Sequence, residues 1–435
     1  MRRTRMYLFI ALATLVIGGF VAISLTLGQD HTPPPARTPP STPNEKNDAV
    51  TNTSGSLALV PKHKPDATAS SASAHDAQAI QEVQSQIERG AQWLANMNQD
   101  SGRFVHGVLP ALDQTLEGDD YLHQLEATVA LARAARYLNN DSYAAKATQA
   151  VLRFLDDTVT DTANGQVRCG GPVVDADHIA AAGLLVSAIN ELPMPQADIL
   201  DKAEQLCRFI ASRQQDNGAL SETADASFGG RGPGQALCGL ITSQRRRPAP
   251  WKLDVVHKAL GYYFPQWRAH RNADVAASQA PAYAEAYLLT KSQDYADAVF
   301  EMNDWLCTLQ CSQIDPHHQQ WWGGFRAAPN DAEGPTPQGS DYAQSLALAC
   351  RVARQLGDAQ RFDRQYRPTL ERWRAYVVRL QYVEANTQHF DPTYRRRHLL
   401  GGFHAASDDG TLRIDFTAAA VCALLDYLGG VANDG

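Results

Sequence analysis

The chain has 435 residues, 20% of them charged, and a formal net charge of −8. This length allows two or three average domains or one large single-core fold. The acidic balance excludes the basic surplus typical of nucleic-acid-binding proteins, so we expect no nucleic-acid partner.

The N-terminus predicts a membrane anchor. Arg2, Arg3 and Arg5 precede the uncharged stretch 6–27, "MYLFIALATLVIGGFVAISLTL". About 20 apolar residues span a bilayer, and a cleavable signal peptide would have a shorter apolar core and a small-residue exit. Because the arginines lie on the short N-terminal side, residues 1–5 are expected in the cytoplasm and the rest of the chain in the periplasm or otherwise outside the cytoplasm.

Residues 28–77 are rich in Pro, Thr, Ser and Ala and contain few large apolar side chains. Such a segment cannot bury enough surface to fold, so it is expected to be a disordered tether. It separates the anchor from a folded body over 78–435.

The body shows apolar residues at helical spacing again and again, and almost no alternating strand pattern. Twelve helices are predicted, at 79–99, 120–138, 142–158, 176–191, 198–214, 234–244, 252–269, 274–289, 293–310, 340–356, 359–382 and 413–429. The even-numbered helices are apolar on most sides and are expected inside, whereas the odd-numbered helices are amphipathic and are expected outside.

The lengths of the connections show a second asymmetry. Links from even to odd helices are mostly short, while those from odd to even helices are mostly long, with only the link near 270–273 tight. Long loops are usually functional. Six outer–inner hairpins with the long loops at one rim predict an all-α (α/α)6 toroid with one central depression.

A short internal repeat supports this arrangement. The segment "WLANMNQDSGRF" (93–104) aligns without a gap to "FIASRQQDNGAL" (209–220), which pairs Gln99 with Gln215 and Gly102 with Gly218. The glutamine is expected to hydrogen-bond the helix end, and the glycine to make the turn.

Outer helices that end in an aromatic and an aliphatic residue, then Gln and Asp-x-Gly, resemble the repeat of the (α/α)6 toroid superfamily. That group includes six-hairpin glycosidases, toroid polysaccharide lyases, the helical domain of C5-epimerases and terpene cyclases. The resemblance covers the whole body and implies the fold far more firmly than the activity.

Polar and titratable residues collect where the inner helices begin, which is the long-loop rim. The candidate catalytic residues are Asp119, Asp120, His123, Glu285 and Asp415. The candidate substrate-binding residues are Tyr121, His178, Arg231, Gln279, Tyr283, Trp322, Tyr342, His404 and Arg413. No metal-ligand spacing is found, and no metal or other cofactor is expected.

These residue types allow two chemistries on a glycan or another small-molecule or polymer ligand. Glycoside hydrolysis needs two carboxylates across the substrate. A uronate lyase or epimerase needs a base such as Tyr or His and an arginine for the sugar carboxylate. Carboxylates outnumber convincing bases, which favours hydrolysis, but a non-catalytic glycan- or protein-binding envelope protein stays open.

A terpene cyclase-like protein is a further alternative. The stretch "EGDD" (117–120) resembles the D-x-D-D signature of protonating cyclases, in which Asp119 would be the general acid. The first position departs from that signature, because it is Glu117 rather than Asp.

Overall fold

The computed structural model describes residues 67–432, apart from 163–164, 171–177, 222–229 and 330–333, with side chains from residue 77. The predicted tail (1–5), the predicted anchor (6–27) and most of the predicted tether (28–66) lie outside the described residues. Those three assignments stay predictions.

Within the described residues, twelve main helices form two alternating sets. The odd-numbered set comprises α1 (Ala67–Met97), α3 (Asp141–Asp156), α5 (Ala197–Ser212), α7 (Pro250–Ala269), α9 (Gln293–Cys307) and the mixed helix α11, which is α-helical over Ala359–Arg361 and Arg367–Val377, π-helical over Phe362–Tyr366 and 3-10 over Val378–Leu380. The even-numbered set comprises α2 (Tyr121–Leu138), α4 (His178–Glu191), α6 (Gly232–Arg246), α8 (Ala273–Thr290), α10 (Gly339–Leu356) and α12 (Ile414–Tyr427).

The largest boundary difference is at the start of α1. This helix begins at Ala67 rather than near residue 79, inside the segment assigned to the tether. Five of its first eleven residues, "ATASSASAHDA", are Ala, the best helix former, but the stretch lacks the apolar spacing on which the prediction relied.

The even-numbered helices pack side by side into a closed inner ring, in the order α2, α4, α6, α8, α10, α12 and back to α2. The odd-numbered helices pack around them, and every residue of α4 is buried. Small residues allow the closest approach, since a Cβ on Gly183 of α4 would lie 2.5 Å from the Cα of Ala236 on α6. The predicted toroid and its two layers are confirmed.

The connections also follow the prediction. All five links from an inner helix to the next outer helix are short, and five of the six links from outer to inner helices are long. The N-termini of all six inner helices therefore lie at one end of the ring, here called the long-loop end; the opposite end is the short-loop end.

Four amide side chains fasten the ends of the outer helices. The side chains of Asn98, Gln214, Gln310 and Gln381 each donate a hydrogen bond to the carbonyl of a glycine with positive φ, namely Gly102, Gly218, Gly323 and Gly401. The predicted repeat assigned this role to Gln99 and Gln215, but the structure gives it to the residue before each of them.

The same amides join neighbouring outer helices. Gln214 donates to the carbonyl of Val255 at 2.8 Å, and Gln310 donates to that of Thr369 at 2.8 Å. Gln381, at the end of the last outer helix, donates to the carbonyl of Gln86 on the first, at 3.0 Å, and so closes the outer ring.

A small sheet at the long-loop end was not predicted. Strands β1 (Gly107–Leu109), β2 (Gln114–Thr115), β5 (His404–Ala406) and β6 (Asp409–Arg413) form it in the order β2-β1-β6-β5, with antiparallel pairs throughout. A second pair joins β3 (Thr158–Thr160) to β4 (Val167–Cys169). These strands have two to five residues, which is too short for an alternating pattern to be recognised.

The four-stranded sheet connects the first long loop to the last one. Gly107 pairs with Arg413, and the backbone N–H of Ile414 donates to the carbonyl of His106. Residues from the two ends of the folded body therefore meet at one place on the rim.

One described segment, Ile414–Val431, is long and apolar enough to cross a membrane by length and composition. Of this segment 72% is buried within the protein, as expected for an inner helix of the toroid.

Candidate active site

The inner ring encloses a cavity of about 340 Å³. All six inner helices line it, from Glu126 and Asp415 near the long-loop end to Arg136 and Asp426 near the short-loop end. Small-molecule sites commonly have volumes of about 300–1,000 Å³. The cavity is therefore large enough for a small ligand or for one end of a longer one.

An arginine and two acids form the first polar cluster at the mouth of the cavity. Arg231, at the start of α6, lies 3.0 Å from the carboxylate of Asp341 and 3.7 Å from that of Glu126. The side-chain amide of Gln235 donates to Glu126 Oε1 at 2.9 Å. These four residues come from three helices and all line the cavity.

The two carboxyl groups in this cluster hold protons more tightly than usual. Burial raises the pKa of Glu126 from its ordinary 4.5 to about 7, although the nearby Arg231 lowers it. Burial also raises the pKa of Asp341, again against the effect of Arg231. Glu126 is therefore available as a proton donor near neutral pH.

A second cluster lies beside the first, where β6 runs into α12. The guanidinium of Arg413 holds the carboxylate of Asp415 through two hydrogen bonds, of 2.9 and 2.7 Å. His123 on α2 lies 3.6 Å from Asp415 and 3.3 Å from Arg413. Burial lowers the pKa of His123, although Asp415 and Asp120 raise it, so the neutral ring is favoured at pH 7.

Asp120 has a structural role next to this cluster. It is the N-cap of α2, and its carboxylate accepts hydrogen bonds from the backbone N–H groups of Leu122 and His123. The other oxygen lies 3.7 Å from the His123 ring. His106 stacks on His123 with ring centroids 5.6 Å apart. Asp120 can thus orient His123 but does not line the cavity.

Glu285 lies far from these groups, which corrects its predicted place. It is ion-paired with Arg351 at 2.6 Å and with Arg245 at 3.7 Å. It follows Asp274, in the first turn of α8, by eleven residues, or about 16 Å along the helix axis. Glu285 therefore belongs to the short-loop end and cannot face Asp120 across a substrate.

Three predicted substrate-binding residues point away from the cavity. Tyr283 and Gln279 are fully buried, hydrogen-bonded to each other at 2.9 Å, and Tyr283 packs against Tyr295 of the outer helix α9. Tyr121 is buried edge-on against Phe154 of α3. They were chosen for their helix positions, but their side chains face the outer layer.

Four more predicted ligand contacts do not line this cavity. His178 is buried beside Arg168, and Tyr342 is buried against Phe325. Trp322 lies in the loop before α10 and is half-buried. His404 lines a separate cavity of about 20 Å³, which has room for about one water molecule. Of the predicted site residues, Arg231 and Asp415 line the cavity at its mouth, and His123 and Arg413 contact Asp415 from behind the wall.

Asp119 lies outside the cavity as well. Its side chain is 52% exposed, and its nearest charged partner is Arg103, at 3.9 Å. A protonating cyclase needs its general acid inside an apolar, water-excluded cavity. The position of Asp119 therefore does not fit the cyclase alternative.

Glu126, Gln235 and Asp341 belong to the site but were not among the candidate residues, although Gln235 and Asp341 lie at the helix starts where the prediction placed the site. Glu126 lies in the same acidic stretch as Asp120. It follows His123 by three residues, so Glu126 and His123 share one face of α2. That spacing could have identified it. Asp341 resembles an ordinary acid in the first turn of a helix, and only its contact with Arg231 distinguishes it.

Comparisons with known proteins match the architecture. No protein-family model matches the chain, and no curated protein does. Among solved structures, the chain is similar to a cellobiose 2-epimerase from Bacillus thermoamylovorans, with a TM-score of 0.58 and 14% identity over 80% of this chain and 99% of that one. It is also similar to an α-1,6-mannanase from Salegentibacter sp., with a TM-score of 0.56 and 11% identity over 79% and 98%. A third is an unsaturated glucuronyl hydrolase specific for heparin, with a TM-score of 0.53 and 11% identity over 80% and 97%.

The chain has the (α/α)6 toroid fold. At identities of 11–14%, these likenesses extend to the fold and no further. Among the residues from 67 onward that are described, no group of three or more His, Cys, Asp or Glu side chains is arranged to hold a metal ion.

Proposed function

We propose that the protein is a carbohydrate-active enzyme that hydrolyses a glycosidic bond at the mouth of the central cavity. The observation that carries this proposal is a pair of carboxyl groups, Glu126 and Asp415, that line the cavity at its mouth from two inner helices. Glu126 has a pKa raised to about 7, whereas Asp415 is held by the Arg413 guanidinium. Hydrolysis with two carboxyl groups needs one of them as proton donor and the other as base or nucleophile.

In this mechanism Glu126 donates its proton to the glycosidic oxygen as the bond to the anomeric carbon breaks. Asp415 either accepts a proton from the attacking water or attacks the anomeric carbon itself. Gln235 and Arg231 hold Glu126 in place from one side. Activity should therefore fall as the pH rises through about 7, where Glu126 loses its proton.

The engaged arginines favour hydrolysis over chemistry on a uronate. Arg413 uses two donors on Asp415, and Arg231 is shared between Asp341 and Glu126. A lyase or C5-epimerase needs an arginine that receives the sugar carboxylate. Both arginines at the mouth are thus engaged by the carboxyl groups proposed to react or by their neighbour Asp341, so neither is placed to hold a sugar carboxylate beside the bond that breaks.

Epimerisation is the second candidate, because of one observation. His123 has a lowered pKa, lies 3.6 Å from Asp415, and stacks on a second imidazole, that of His106. A neutral imidazole can abstract a proton next to a carbonyl. The cellobiose 2-epimerase has the same fold, which supports a sugar as the substrate of either reaction.

The mannanase offers one further comparison. Its inactive variants replace two consecutive aspartates, and a variant was obtained with α-1,6-mannotriose bound. This chain has consecutive aspartates, Asp119 and Asp120, at the start of α2. Asp120 acts on His123 rather than on the cavity, so we infer a positioning role for it.

A panel of oligosaccharides tests the proposal; it includes neutral ones, such as α-1,6-mannooligosaccharides and cellobiose, and ones that end in a uronic acid or a sugar phosphate. The full chain should release shorter sugars, and Glu126→Gln or Asp415→Asn should each lower kcat by about 10²–10⁴-fold. Glu82→Gln, an exposed acid on the outer helix α1, is the matched control and should keep full activity. Binding without turnover in the unsubstituted chain would instead support the non-catalytic glycan-binding protein.

We also propose that this enzyme is tethered to a membrane and faces away from the cytoplasm. The apolar stretch 6–27 and the arginines before it support this proposal.

A further inference from the structure

The short-loop end of the cavity carries a second ring of charges, which the proposed reaction does not use. Its members line the cavity and are here called the arginine belt: Arg133, Arg136, Arg245 and Arg351, with Glu191, Glu285 and Asp426.

The belt runs around most of the ring through shared carboxylates. Glu285 on α8 bridges Arg351 on α10, at 2.6 Å, and Arg245 on α6, at 3.7 Å. Glu191, at the end of α4, bridges Arg245, at 2.7 Å, and Arg136 on α2. Five consecutive inner helices are joined in this way.

The sixth helix completes the circuit. Asp426 on α12 accepts a hydrogen bond from Arg133 on α2 at 2.7 Å and one from Gln344 on α10 at 2.9 Å. Every inner helix therefore contributes to one continuous set of polar contacts around the lower cavity.

The arginines exceed the acids in this belt, four to three. Within the described part of the chain, Arg136 and Arg351 each make a single ion pair, with side chains 45% and 34% exposed. A guanidinium has five N–H donors. Several donors on the cavity wall are thus left for a ligand.

A purely structural role, in which the arginines stabilise the negative C-terminal ends of the inner helices, explains only some of the belt arginines. The favourable effect of a cation at a helix C-terminus falls off within the last turn. Arg133 and Arg351 lie five residues before the ends of α2 and α10, which is more than one turn. The three acids of the belt also argue against this role, because a negative charge is unfavourable near the C-terminus of a helix.

At Arg136, the crowding of like charge points the same way. Burial lowers the pKa of the Arg136 guanidinium, against the effect of Glu191, and the neighbouring arginines Arg133, Arg245 and Arg246 lower it further. An anion in the belt would relieve this repulsion.

We propose that the arginine belt is an anion-binding subsite that receives an oxyacid group, a carboxylate or a phosphate. Planar guanidinium groups bind both through paired hydrogen bonds. Resting on the proposed function, we further assign this group to the sugar that enters the cavity, with the bond to be cut held at the mouth. On α2, α10 and α12 the belt residues follow the mouth residues by seven to eleven positions, or about 10–16 Å.

Calorimetric titration of the full chain with inorganic phosphate, in chloride buffer of constant ionic strength, tests the subsite. We expect saturable binding that is at least tenfold weaker in Arg351→Gln and in Arg136→Gln, with circular dichroism confirming that both variants fold. Arg361→Gln is the matched control, because Arg361 is also 34% exposed and ion-paired, but on the outer layer. No saturable binding, or equal weakening in Arg361→Gln, would overturn the proposal.

Competition then identifies the group. Glucuronic acid, glucose 6-phosphate or both should displace phosphate, whereas glucose should not. The stronger of the two competitors identifies the group as a carboxylate or a phosphate. Displacement by glucose as strong as by either anion would also overturn the proposal. Phosphate binding does not depend on turnover, so Glu126→Gln should retain it; the subsite and the proposed hydrolysis can therefore fail independently.

Discussion

Glu126 owes its properties to its position rather than to its residue type. Asp119, Asp120 and Glu126 are close in sequence, yet Asp119 is exposed, Asp120 caps a helix, and Glu126 faces the cavity beside Arg231. Burial raises the pKa of Glu126 to about 7. The division of labour among the acids follows from which face of α2 each one occupies.

Burial of Glu126 makes stability depend on pH. Its pKa rises on folding from 4.5 to about 7, so between these values the folded chain holds a proton that the unfolded chain releases. The free energy of unfolding should therefore fall as the pH rises through this window, by up to about 3 kcal/mol. In Glu126→Gln this part of the dependence should be missing, as urea unfolding at pH 5 and pH 8 would measure. Parallel losses in both proteins would contradict the assignment.

Tyr283 provides the opposite case, a residue chosen for chemistry that the structure assigns to the core. Tyr283→Phe removes its hydrogen bond to Gln279, whose side chain is fully buried. The buried Oε1 of Gln279 then has no donor, which should lower the free energy of unfolding by about 1–3 kcal/mol. Turnover per folded molecule should not change. A variant with unchanged stability and lost sugar binding would return Tyr283 to the site.

At the scale of elements, the glycine turns after the outer helices determine how closely neighbours pack. Gly218 has φ +95°, and a Cβ there would lie 2.2 Å from the carbonyl oxygen of Lys258 on α7. Gly357, which ends α10, has φ +70° but no atom within 4 Å of such a Cβ. A side chain at either position would have to adopt the left-handed backbone conformation. Only at Gly218 would its Cβ also clash with a neighbouring helix.

Substitution by alanine should separate these two effects. Gly357→Ala should lose about 1–2 kcal/mol, the cost of the left-handed conformation. Gly218→Ala should lose about 3 kcal/mol or more, because backbone must also move. Urea unfolding of both variants measures the difference, and equal losses would mean that the close approach does not matter.

The helices and their order could be predicted from sequence because each has its own local signal. Inner helices such as "HIAAAGLLVSAIN" are apolar all round, and the loop lengths alternate independently of composition. The sheet between β1 and β6 had no such signal, since its pairing joins residues about 300 positions apart. The amide contacts were placed one residue off, because a turn motif does not reveal which side chain faces inward.

At the scale of the whole molecule, the site is assembled from parts that are distant along the chain. The mouth combines Glu126 from the first hairpin with Arg231 from the third and Asp415 from the sixth. Sequence patterns indicated that the helix starts would converge. They could not indicate which side chains point inward, since that depends on the rotation of each helix about its axis.

The predicted anchor gives the whole molecule an orientation that can be measured. A reporter that is active only outside the cytoplasm, fused after Leu27, should be active, because Arg2, Arg3 and Arg5 retain the N-terminus inside. Replacing the three arginines with glutamate should reduce that activity. A second reporter, one that is active only inside the cytoplasm, would be fused at the same position. Activity of that second reporter, with none from the first, would contradict the proposed location.

The most direct test of hydrolysis at the cavity mouth is isotope incorporation during turnover. The full chain would be incubated with oligosaccharides in water enriched in oxygen-18, and the products analysed by mass spectrometry. At reaction times shorter than the spontaneous exchange of anomeric oxygens with water, and after subtraction of an enzyme-free control, the proposed hydrolysis predicts one labelled oxygen per cleaved bond, at the new reducing end, and loss of this label in Glu126→Gln. Unsaturated products without the label, or an isomerised sugar of unchanged length, would contradict it.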